Sequence, residues 1–138
     1  MKSPVQAPIA DAFRQPPCPY CAGNRGIEYV TVPGNLVQAG VSGVVSFAGQ
    51  VGGEIYVVVR DRNGVLVTHG YLSEAHVHTG ESVTVGDEIG RVNERLYFGV
   101  RIDGQYVDPM RCMSEGTVIA RRAILISAPP RRTAWSTR

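Results

Sequence analysis

Between Val41 and Pro109 the chain repeats one pattern: a short run of β-branched and aromatic residues, then a glycine or an Asn-Gly pair. The runs are Gly43–Gly49, Ile55–Val59, Val65–Leu72, Val83–Gly90 and Leu96–Val107. Branched side chains suit a pleated surface and Asn-Gly accepts positive φ, so the pattern predicts an antiparallel β-sheet and argues against helices. The strongest hairpin signal is Asp61-Arg-Asn-Gly64, which pairs Ile55–Arg60 with Val65–Tyr71. Asp103-Gly104 marks a second turn, and Gln50–Gly53 a loop between two apolar strands. Upstream, Asn24–Thr31 reads as a turn entering a first strand. Pro33-Gly34-Asn35 breaks it, and Leu36–Gly40 begins the main sheet.

A chain of 138 residues, 43% of them hydrophobic, buries one modest core and leaves no room for a second domain of ordinary size. The expected organisation is therefore one β domain over residues 23–112. Residues 1–22 form a flexible lead-in, because Pro4, Pro8, Pro16, Pro17 and Pro19 lack backbone donors. Residues 113–138 form a basic tail, in which Val118–Ile126 reads as a short strand or a helical turn and Ala128–Arg132 as disordered. Five arginines and no acid fall in 116–138, so a net charge of +2 leaves −3 on residues 1–115. Such a tail reads first as a solubilising end. No aromatic platform is interleaved with its arginines, which argues against nucleic acid as a partner. No apolar run reaches the roughly 20 residues of a membrane span, and Met1–Pro8 lacks the apolar segment of a signal peptide, so a soluble chain without an export signal is expected.

Three cysteines are present. Cys18-Pro-Tyr-Cys21 has the spelling of a glutaredoxin-type redox pair, but the strand and helix that would activate its first thiol are missing. A structural disulfide, within the pair or from one of its members to Cys112, is the better reading for a protein outside the cytoplasm. A zinc site from Cys18, Cys21 and Cys112 would need a fourth ligand such as a histidine.

Five blocks carry a resemblance: Asn24–Glu28, Val41–Gly49, His69–Ser73, Gly80 with Val85–Gly90, and Leu96–Pro109. In this order they resemble the lysostaphin-type (LytM-like) zinc metallopeptidase domain over about residues 23–110. The resemblance implies an all-β, single antiparallel sheet of the duplicated hybrid motif type with a groove. In active members it implies a zinc endopeptidase acting on peptidoglycan cross-links, in an extracytoplasmic cell-envelope setting, although a cytoplasmic role stays open. Val41–Val45 and Val85–Gly90 also resemble lipoyl or biotinyl carrier domains. Those attach their cofactor to a lysine at a hairpin tip, and the single lysine here is Lys2.

The family's chemistry is carried by a His-x-x-x-Asp block, a Tyr-x-His-Leu block and a His-x-His block. The first His, the Asp and the last His hold zinc, while the other two His assist the water. The matching positions here are Asn24, Glu28, Tyr71, Arg95 and Tyr97, none of them histidine. Asn is a poor zinc ligand, a neutral Tyr poorer, and Arg repels a dication, so no metal or other cofactor is expected. An ion pair between Arg95 and Glu28 is expected where the metal stands in active members.

His69 lies two residues before Tyr71, and on a regular strand an offset of two keeps one face, which would make it a substitute ligand. His76-Val-His78 alternates on a strand, so both rings share a face and could chelate a metal, but no third ligand is evident and a solvent-facing strand edge is the better reading. Tyr56, Tyr71, Tyr97, Tyr106 and Phe98 read equally as groove lining and as core or rim. Two functions follow. The first is a catalytically inactive module whose groove, with Asn24, Glu28, His69, Tyr71, Arg95 and Tyr97, holds peptidoglycan stem peptides or a cell-wall hydrolase or divisome protein. The alternative is a zinc-dependent peptidoglycan endopeptidase with non-standard ligands such as Glu28, His69 and a Cys or His.

Overall fold

A computed structural model of the chain describes residues 1–18 and 20–113, and the readings made for 114–138 lie outside the described residues. The strands are β1 (Ile9–Asp11), β2 (Ile27–Val30), β3 (Asn35–Gln38), β4 (Gly43–Val51), β5 (Glu54–Arg60), β6 (Leu66–Ala75), β7 (Ser82–Val83), β8 (Glu88–Ile102) and β9 (Gln105–Val107); the run Val83–Gly90 is broken, because the Asp87 amide donates to the Thr84 carbonyl at 2.9 Å and turns the chain between β7 and β8. A single helical turn, α1 (Pro109–Met113), follows. All strand pairs are antiparallel, in the order β1-β2-β8-β6-β5-β4-β7, with β3 and β9 also on β8.

The turns follow the residues that permit them. Gly52 and Gly53 both have positive φ, at 59° and 88°, so β4 and β5 close through a two-residue hairpin tighter than the loop expected over Gln50–Gly53. At Asp61–Gly64 the Asp61 carboxylate accepts from the Asn63 and Val65 amides at 2.8 and 2.9 Å. Asp103 and Gly104, at 51° and 79°, turn β8 into β9.

Inward-facing residues on alternate strand positions make one core: Ile27 and Tyr29 on β2, Val57 and Val59 on β5, Val67 and Leu72 on β6, Val92, Leu96, Phe98 and Val100 on β8. Strand β8 runs through it and bends midway. Its pairing with β6 passes from Gly70↔Tyr97 to Leu72↔Val92, so β6 advances two residues while β8 advances five. The surplus lies at Asn93–Arg95, held by the Thr31 hydroxyl and amide donating to the Asn93 and Glu94 carbonyls at 2.9 and 3.0 Å. Across from it, Tyr71 has a φ of 67°, a conformation that bulky side chains rarely adopt.

The expectation of a loose lead-in over residues 1–22 is corrected. Val5 is buried in the core, and β1 pairs with β2. Gln38 and Val30 donate their amides to the Pro4 and Pro8 carbonyls at 2.9 and 2.8 Å, and the Lys2 amide donates to Gly40 at 2.9 Å. Proline removes a donor but keeps its acceptor, and this border strand is tied down largely through acceptors.

Candidate functional site

Strand β2 places Glu28 opposite Tyr97 and Val30 opposite Arg95 on β8. Since Ile27, Tyr29, Leu96 and Phe98 point into the core, alternation turns Glu28, Arg95 and Tyr97 to the other face. There the Arg95 Nη1 donates to Glu28 Oε1 at 2.8 Å, the ion pair expected from the sequence. The Glu28 side chain is 19% exposed and that of Arg95 53%, so the carboxylate is sheltered beneath a solvated guanidinium.

The positive φ of Tyr71 interrupts the alternation of β6 and brings its ring to the same face. Its centroid lies 5.8 Å from that of Tyr97, tilted by 45°, and 6.2 Å from that of Tyr56 at an edge-on 71°. Glycines floor this cluster. A Cβ at Gly70 would stand 2.7 Å from the Tyr56 ring and 3.2 Å from the Tyr97 ring; one at Gly99 would stand 2.8 Å from the Tyr97 hydroxyl. A Cβ at Gly26 would meet both the Tyr97 ring, at 2.8 Å, and the Phe98 carbonyl, at 2.5 Å. Any of the three as alanine would displace the Tyr56 or Tyr97 ring from the face.

The phenols stay neutral at physiological pH. Burial pushes the Tyr97 hydroxyl well above the usual phenol range, with Tyr106, Tyr71 and Tyr56 adding to it. Burial also raises Tyr71, and Glu28 adds to the effect; burial and then Glu54 raise Tyr56. On the same face Arg101 stacks over the Tyr106 ring at 5.4 Å. Glu54 and Arg101 were not singled out in the sequence. The signal for Arg101 was alternation, since Tyr97, Gly99 and Arg101 must share a side of β8; Glu54 had none beyond its place next to the Gly52-Gly53 turn.

The remaining candidates go elsewhere. Asn24 is buried, pairs backbone to backbone with Arg14, and donates its side-chain amide to the Ala12 carbonyl at 2.9 Å. His69 corrects the expectation of a substitute ligand. It is fully buried against Phe98, accepts from the Gly40 amide at Nε2 (3.1 Å), and donates from Nδ1 to the Val57 carbonyl (3.1 Å). Burial pushes its pKa down to about 4, which keeps it neutral. The two-residue rule failed because Tyr71 is not in extended conformation. Phe98, paired with His69 and alternating inward with Leu96 and Val100 on β8, is core and not groove lining.

His76 and His78 are not on a strand, because β6 ends at Ala75. His76 sits between Glu74, 2.5 Å from Nε2, and Glu88, 2.7 Å from Nδ1, so its two nitrogens face different partners. Cys18 and Cys21 form a disulfide with each other, so the pairing with Cys112 is corrected: Cys112 is a free thiol packed at the core's edge.

A zinc ion is implied by the sequence resemblance, and the residues present do not fit one. Of its three ligand positions, Asn24 is turned to Ala12, Glu28 is compensated by Arg95, and Tyr97 is a neutral phenol whose ring fills the glycine cradle. Among the described residues no three His, Cys, Asp or Glu side chains are placed to hold a metal ion.

A sequence profile of peptidase family M23 matches residues 22–109. Among curated proteins no sequence relative is found. Solved structures share the fold at low identity. Csd3 from Helicobacter pylori is 23% identical with a TM-score of 0.72, over 80% of this chain and 33% of its own, so the chain spans about a third of that protein. A chain of the SpoIIIAH and SpoIIQ complex is 21% identical with a TM-score of 0.70, over 80% of this chain and 97% of its own. The catalytic domain of the antimicrobial peptidase lysostaphin from Staphylococcus simulans is 19% identical with a TM-score of 0.65, over 75% of this chain and 90% of its own.

Proposed function

We propose, on the premise that this chain belongs to peptidase family M23, that its site binds without hydrolysing: a catalytically inactive module of the cell envelope that holds peptidoglycan stem peptides or a protein partner and so scaffolds or regulates wall hydrolysis. The observation that carries this reading is the Arg95–Glu28 ion pair. A metallopeptidase needs three firm ligands, an open water position and a base. Here the one retained carboxylate is paired with a guanidinium at 2.8 Å, a fixed cation beside the position a dication would take. The tyrosines that replace two of the histidines present flat apolar faces with polar tips, which suits a surface that contacts a ligand. A fold of this kind that occurs in a two-protein complex, SpoIIIAH with SpoIIQ, supports a protein partner as a ligand class.

The test is sedimentation with purified peptidoglycan sacculi, together with analysis of the soluble fraction for released peptides in zinc-supplemented buffer. Co-sedimentation with no release is the expected result. Peptide release that requires zinc and stops with a chelator would establish the peptidase instead.

A further inference from the structure

Asn63 precedes Gly64 in the turn from β5 to β6, and no other asparagine of the chain stands before a glycine: Asn24, Asn35 and Asn93 are followed by Arg25, Leu36 and Glu94. An Asn-Gly pair is chemically labile because glycine has no side chain to shield its backbone nitrogen. Once deprotonated, that nitrogen attacks the asparagine Cγ. The new N–Cγ bond forms, the Cγ–Nδ2 bond breaks, and ammonia leaves with the proton. Water then opens the succinimide ring at either carbonyl, giving aspartate or, with the main chain rerouted through the side-chain carbon, isoaspartate. Water is the only co-reactant.

Both residues are exposed, and a Cβ at Gly64 would meet nothing within 4 Å, so solvent reaches the reacting atoms. The attack nonetheless needs the Gly64 nitrogen released, and the turn engages it: the Gly64 amide donates to the Asp61 carbonyl at 3.1 Å. Asp61 also fixes the peptide units on either side. Its Oδ1 accepts from the Asn63 and Val65 amides at 2.8 and 2.9 Å, and its own amide donates to the Val65 carbonyl at 3.0 Å. A carboxylate among these amides opposes, by its charge, the nitrogen anion that the reaction requires.

We propose that Asn63 is the site at which this chain deamidates, and that Asp61 sets the rate by holding the Gly64 amide out of the reaction. The product puts a second carboxylate beside Asp61, and its isoaspartyl form adds a main-chain atom to a turn whose register the hairpin depends on. The site is separate from the tyrosine face: Arg60 pairs with Leu66 at the turn, whereas Ile55 pairs with Leu72, next to Tyr71, at the far end of the same two strands.

The experiment incubates the full chain in mildly alkaline buffer, folded and in urea, and follows each asparagine by peptide mapping. The amide-to-acid mass gain is the readout, which isomerisation at Asp103-Gly104 does not produce. The gain is expected at Asn63 before Asn24, Asn35 or Asn93, and at least about fivefold faster in urea than in the folded chain. Asp61→Ala, shown to be folded by circular dichroism, should deamidate at Asn63 at least about threefold faster than the unaltered chain. Asp61→Asn, which keeps an acceptor at this position, should fall between the two. The comparison in urea needs no variant and stands even if Asp61→Ala fails to fold. Equal rates in folded and unfolded chain, equal rates in folded Asp61→Ala and the unaltered protein, or conversion that begins at another asparagine would each overturn the proposal.

Discussion

Arg95 and Glu28 lie 67 residues apart in sequence and meet at 2.8 Å, because β2 and β8 pair in a register that puts both on the face opposite the core. The pair stands where the sequence resemblance places a zinc ligand and a catalytic histidine. Since the Arg95 side chain is about half exposed, its contribution to stability is that of a surface pair. Arg95→Ala and Glu28→Gln should each cost no more than about 1 kcal/mol, with a coupling that shrinks as salt rises. A double-mutant cycle in urea at low and high salt checks this.

The glycine cradle predicts a ranking. Gly26→Ala drives a methyl against the Phe98 carbonyl, which cannot move without the sheet, and should destabilise by roughly 1–3 kcal/mol. Gly99→Ala meets the Tyr97 side chain alone, its hydroxyl at 2.8 Å and its Cε2 and Cζ at 3.1 and 3.2 Å, so it should cost less, and adding Tyr97→Phe should recover part of the loss. Thermal unfolding of the three variants measures the order.

His69 sets a dependence on pH. Its pKa falls from 6.5 to about 4 on folding, so between those values the unfolded chain binds a proton that the folded chain does not. Its contribution is complete above about pH 6.5 and is lost as pH falls toward 4, with a size on the order of 3 kcal/mol. His76 has the opposite sign. Its hydrogen bond to Glu74, then that to Glu88, raise its pKa, so its small, solvent-screened contribution is present below 6.5 and fades as pH rises. Urea unfolding at pH 7 and pH 4.5 should show a net loss on acidification, and His69→Gln should flatten it.

The Cys18–Cys21 disulfide closes a very short loop, so replacing both cysteines with serine should lower stability by about 2 kcal/mol at most. Cys112, whose thiol is raised by burial, should react slowly with a thiol reagent in the folded protein and rapidly once unfolded. Thiol titration with and without urea distinguishes the two states.

The sheet was legible because its turns are spelled in residues with one conformational use. Asn63-Gly64 and Asp103-Gly104 sit at their hairpins, and the strands between them are β-branched. The Glu28–Arg95 pair was legible only through matched family positions, since nothing local links two residues so far apart. His69 was misplaced because period-two counting assumes extended backbone, and Tyr71 breaks it with a φ of 67°. The first 22 residues were misread because their prolines were weighed as missing donors, when the carbonyls of Pro4 and Pro8 bind the sheet. The clasp of Glu74 and Glu88 around His76 depends on a bulged register that no pattern in the sequence marks.

In the function proposed above, this site grips a ligand and activates no water through a metal. Metal analysis of the purified chain after equilibration with micromolar zinc and removal of the excess addresses it most directly. Far less than one zinc per chain is expected, with no change in that figure when Glu28 is replaced by glutamine. One zinc per chain, lost in Glu28→Gln, would contradict it.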